Sequence, residues 1–68
     1  MKLNVYIERE KKKTEVELKE NSTVKDLMSK LNVNPVTVVI SKNGKIVTEI
    51  AKLKDKDKIE FFSVVGGG

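Results

Sequence analysis

Three consecutive glycines, Gly66, Gly67 and Gly68, follow a segment that carries Ile59, Phe61, Phe62, Val64 and Val65. Glycine has no Cβ and loses more backbone freedom on ordering than any other residue, so such a run adds nothing to a core. It suits a flexible, slender peg that ends in a carboxylate. A peg of this kind can thread a narrow channel in another enzyme and present Gly68 to the α-phosphate of ATP. The acyl-adenylate so formed is a good electrophile: a sulfur donor would convert it to a thiocarboxylate, and an amine would convert it to an amide. Gly68 is then the reacting residue, and Gly66 and Gly67 are the threading residues. A disordered end, or a remnant of linker, is the competing reading of the same glycines.

Little else in the chain offers chemistry. It has 68 residues with no Cys and no His, which removes disulfide frameworks, zinc fingers, thiol nucleophiles and Ser-His-Asp triads. So short a chain forms one small domain and has no room for a deep walled pocket. Asp55 and Asp57 alternate with Lys54, Lys56 and Lys58. A metal held by the two acids is possible on paper, but a solvated charged turn is the better expectation. Met28 reads as core filler before it reads as a soft ligand. With no general base near a pocket, the chain is expected to be a co-substrate and not an enzyme, with no bound cofactor. ATP belongs to the partner.

The formal net charge is +4, which permits an acidic partner. All the basic residues except Arg9 are lysines, they alternate with acids, and the aromatics are Tyr6, Phe61 and Phe62 alone. Nucleic-acid binders normally add arginine forks or stacking platforms. Phosphate binding through Lys11, Lys12 and Lys13 therefore ranks below solvated surface. No apolar run reaches the ~20 residues that span a bilayer, and Met1 to Glu10 is not a signal peptide. A soluble, cytoplasmic protein is expected.

The elements that must carry the tail follow from periodicity. Leu3, Val5 and Ile7 alternate with polar neighbours, as do Val16 and Leu18 after a polar connection from Arg9 to Lys13, giving an opening hairpin with a long loop. Val24, Leu27, Met28 and Leu31 then fall on one helical face, with Thr23 as N-cap and Asp26 in the first turn. Asn32 to Pro35 ends that helix. The run Val36 to Ile40, the turn Asn43-Gly44 and the pair Ile46-Val47 predict a second hairpin. Thr48 to Leu53 allows a single helical turn, and Ile59 to Val65 forms a last strand, apolar on both faces and so central in its sheet or covered. The order β-β-α-β-β-β predicts one α+β domain: residues 1–65 folded, residues 66–68 a tail.

Taken in order, these pieces resemble the ubiquitin-like β-grasp proteins of the ThiS/MoaD sulfur-carrier family, and also the small archaeal modifiers. The likeness rests on Thr23-Val24-x-x-Leu27-Met28-x-x-Leu31, Val38-Val39-Ile40-x-x-Asn43-Gly44, Leu53-x-Asp55-x-Asp57-x-Ile59-Glu60-Phe61 and Val64-Val65-Gly66-Gly67-Gly68. It implies a mixed sheet of four to five strands packed on one helix. It implies, too, activation of Gly68 by a ThiF- or MoeB-like ATP-dependent enzyme, a sulfur donor, and a downstream synthase or acceptor in thiamin, molybdopterin or tRNA thiolation. The same activation would serve a modifier joined through Gly68 to lysines. Phe61 and Phe62 resemble the paired aromatics of MoaD-like members. Alternation sets Phe61 with Ile59 and Phe62 with Val64, so Phe62 and Val64 are the expected docking residues; the competing reading buries both rings. Lys56 stands where the family often has the glycine of Asp-Gly-Asp.

Overall fold

A computed structural model describes residues 1–34, Val36 and residues 38–63. Among these, strands β1 (Lys2–Ile7) and β2 (Lys12–Glu17) form the opening hairpin, and helix α1 (Val24–Leu31) follows. Strands β3 (Val38–Lys42) and β4 (Lys45–Val47) make the second hairpin, and β5 (Lys58–Ser63) comes last. They form one five-stranded sheet in the order β2-β1-β5-β3-β4. The β1–β5 pair is parallel and the others antiparallel. This is the mixed sheet and single helix of the β-grasp architecture, with the most apolar strand at its centre.

One face of the sheet carries Leu3, Val5, Val16, Ile40, Ile59 and Phe61, and these bury against Val24, Leu27 and Met28 of α1, with Leu53 filling in from the loop before β5. Met28 is 2% exposed, in keeping with core filler. Each fully buried apolar side chain contributes about 1.5–3 kcal/mol, so this face is what holds the helix to the sheet.

Local chemistry places the ends of α1. Thr23 Oγ1 accepts from the Asp26 backbone N–H at 3.4 Å, and Asp26 Oδ2 accepts from the Thr23 N–H at 2.9 Å. This reciprocal capping box satisfies two donors that the first turn leaves free. Two further N–H groups, those of Val24 and Lys25, donate to Ala51 O and Glu49 O, both at 2.9 Å. The 48–53 segment therefore holds no helical turn. It is a turn closed by Ala51 N–H to Thr48 O at 3.1 Å, and its carbonyls serve the helix that precedes it. At the other end Asn32 turns left-handed at φ 58°, and Val33 N–H reaches back to Met28 O at 2.9 Å. Asn32 thus caps the helix; Pro35 lies outside the described residues.

The two hairpin turns differ from each other. Asn43 and Gly44 both take positive φ, 52° and 84°, as the two-residue turn that matches strand twist requires. The first connection is not the long loop expected from its lack of glycine. A 3-10 turn over Glu8–Glu10 is closed by Lys11 N–H to Glu8 O at 3.0 Å, and Lys11 at φ 49° makes the reversal, so β2 begins at Lys12.

The charged loop before β5 is a solvated turn at Lys54, Asp55, Lys56 and Lys58, all exposed, but not at Asp57. Asp57 is only 8% exposed. Its Oδ1 accepts from Asn43 Nδ2 at 2.9 Å and its Oδ2 from Lys54 N–H at 2.8 Å. Asp55 Oδ1 accepts from Lys2 N–H at 2.7 Å, and Lys56 N–H donates to Lys2 O at 2.7 Å. Both acids are thus structural acceptors that tie the start of β5 to β1 and to the β3–β4 turn. Between them Lys56 sits left-handed at φ 69°, the conformation for which glycine is the usual residue.

Candidate functional site

The parallel pairing of β1 with β5 decides where the C-terminal segment emerges. Both strands run the same way, so β5 ends beside the 3-10 turn that follows β1. Ser63 N–H donates to Glu8 Oε1 at 3.3 Å across that junction. Residues 64–68 lie outside the described residues, and with them the expected threading residues Gly66 and Gly67, the expected reacting residue Gly68, and Val64 of the docking pair.

The other expected docking residue, Phe62, lies within the described residues. Phe61 is fully buried with Ile59 on the helix side. Phe62, its neighbour, is half-buried on the opposite face of β5, so the reading that buried both rings in the core does not hold. Its cross-strand partner on β3 is Val39, 39% exposed. Ile46 of β4 pairs with Ser41 and stands diagonal to Val39 on the same face, 70% exposed. Val36, Val39 and Ile46 line one shallow groove. An apolar strip therefore runs from the end of β5 across the outer face of the sheet. Sequence reasoning missed Val39 and Ile46, because the continuous apolar run Val36 to Ile40 hides which of its members face out. The register against β5 reveals it.

Among the described residues the remaining surface carries no second constellation. Among the described residues no group of three or more acidic residues converges as a metal site, and no buried side-chain nitrogen or oxygen is without a partner. Alternation along β2 sends Lys12 and Lys13 to opposite faces of the sheet. Those two lysines and Lys11 therefore do not form one phosphate-binding surface. No helix among the described residues is long and apolar enough to cross a membrane.

Comparison with known proteins agrees with the architecture. The model of the ThiS family matches residues 2–68, which takes in all three glycines. The chain is 32% identical over 54 residues to the sulfur carrier protein TtuB of Thermus thermophilus, covering 79% of this chain and 83% of that one. Among solved structures, a putative molybdopterin converting factor subunit 1 from Pyrococcus furiosus superposes with a TM-score of 0.78 at 25% identity, over 94% of this chain and 98% of that one. The thiamine biosynthesis protein ThiS from Geobacter metallireducens gives 0.66 at 28%, over 96% and 99%. SAMP1 from Haloferax volcanii gives 0.78 over the whole of both chains at 16% identity, a likeness of fold. With the match running the length of the sheet and through Gly68, the chain belongs to the ThiS family of small sulfur-carrier proteins.

Proposed function

We propose that this protein carries sulfur on the carboxylate of Gly68 and that all the catalysis is supplied by partners. In an activating enzyme of the ThiF or MoeB type, a carboxylate oxygen of Gly68 attacks the α-phosphate of ATP, forming the acyl-adenylate and releasing pyrophosphate. A sulfur nucleophile at the oxidation level of sulfide then displaces AMP, leaving a thiocarboxylate for a downstream synthase or acceptor. Gly66 and Gly67 keep the approach to Gly68 free of side chains, so it fits a narrow channel. Phe62, with Val39 and Ile46 beside it and Val64 further along, is the docking strip. The observation that carries this reading is the family match that extends through the glycines. The cytoplasm, which supplies ATP, is the compartment this reading expects.

ATP–pyrophosphate exchange by a cognate activating enzyme tests the proposal. Exchange should depend on this protein and vanish when Gly67 and Gly68 are deleted. Exchange that persists without those residues would overturn it.

A further inference from the structure

In a β-ladder, alternate residues of a strand present their backbone to the same neighbour. Asn4 N–H donates to Asp57 O at 3.0 Å, so on the β5 side Asp57, Ile59, Phe61 and Ser63 are the residues that face β1. The register pairs Val5 with Ile59 and Ile7 with Phe61. Continued by one step, the ladder would offer Ser63 N–H the main-chain carbonyl of Glu8. That carbonyl is turned away: it accepts from Lys11 N–H at 3.0 Å and closes the 3-10 turn. The Glu8 side chain supplies an oxygen in its place, with Oε1 3.3 Å from Ser63 N. One residue thus leaves the sheet with its backbone and stays in it with its carboxylate.

We infer that Glu8 is a positioning residue that fixes the root of the C-terminal tail at Ser63. Without an acceptor there, the last backbone group bonding β5 to β1 belongs to Phe61, and Ser63 keeps only its pairing with Val38 of β3. The geometric consequence is direct. The five residues from Val64 to Gly68 reach at most about 17 Å when extended. Releasing Ser63 would add about 3.5 Å of slack, while Phe62 stays paired with Val39 of β3. Glu8 therefore fixes the point from which reach to an active site is measured. This part of the inference rests on the sulfur-carrier reading; the anchoring of Ser63 does not.

The test uses the full chain with Glu8→Ala and Glu8→Gln. Amide hydrogen exchange in the free protein reads the anchor. In Glu8→Ala the Ser63 amide should exchange at least about tenfold faster while Val5 and Ile59 keep their protection. Glu8→Gln, which retains an acceptor oxygen, should restore most of the slow exchange. Ser63 exchange unchanged in Glu8→Ala, or Gln behaving as Ala does, would overturn the inference whatever the protein's function. With the activating enzyme, Glu8→Ala should raise the half-saturating carrier concentration roughly three- to tenfold with kcat within about twofold. An unaltered half-saturating concentration beside an active wild type would overturn the positioning role. If the wild type itself fails to support exchange of pyrophosphate, the sulfur-carrier reading falls, and the Ser63 measurement still decides the anchor.

Discussion

The carboxylate of Asp57 accepts one hydrogen bond from Asn43, in the turn between β3 and β4, and another from its own loop at Lys54. Truncating it would leave the Asn43 amide and the Lys54 N–H without their acceptor in a part-buried setting. Asp57→Ala should therefore lose about 1–3 kcal/mol in denaturant unfolding; a change near zero would mean that water replaces the carboxylate without penalty. Lys56 makes the opposite case. A side chain held at φ 69° costs about 1 kcal/mol or more, partly offset by the greater freedom glycine brings to the unfolded chain. Lys56→Gly should thus raise stability by about 0.5–1 kcal/mol, seen as a higher denaturation midpoint with the slope unchanged. These residues also mark what the sequence could tell. Asn43-Gly44 announces its turn because both residues favour positive φ, whereas Lys11 and Lys56 reverse the chain with no such signal. Asp57 looks like any other acid in a lysine-rich loop, since its partner Asn43 lies 14 residues away.

At the scale of elements, the helix and the strands were legible where a single period ran unbroken. The Val24, Leu27, Met28, Leu31 stripe and the Thr23 cap are local features, and the helix begins at the residue they indicate. The capping box contributes about 1 kcal/mol, so Thr23→Ala should unfold that much more readily, with loss of protection concentrated in the first turn of α1. The 48–53 segment was not legible, because its form is set by the helix N–H groups it serves and not by its own sequence. The same holds for the outer face of β3. Val39 and Ile40 are both β-branched, and only the pairing of Val39 with Phe62 and of Ile40 with Phe61 separates the outer face from the core. The chemical role proposed for the C-terminal glycines rests on their composition and on the family match, since residues 64–68 lie outside the described residues.

Over the whole molecule, the proposed docking strip and the proposed reacting residue lie on separate parts of the chain and should be separable by mutation. Phe62 is only half-buried, so Phe62→Ala should leave the fold intact. It should weaken binding of the activating enzyme by ~2 kcal/mol, or about thirtyfold, if the ring anchors the interface. Deleting Gly67 and Gly68 should do the reverse, abolishing turnover with the binding strip intact; binding assays and pyrophosphate exchange run side by side distinguish the two. The central claim concerns Gly68 itself, and the most direct measurement is the intact mass of the protein taken from its native cell without reductant or acid, with fragmentation to locate any change. The sulfur-carrier account predicts a species in which one oxygen of the Gly68 carboxylate is replaced by sulfur. A Gly68 found only as an unmodified carboxylate, or only in isopeptide bonds to lysines of other proteins, in cells that hold a competent activating enzyme, would contradict it.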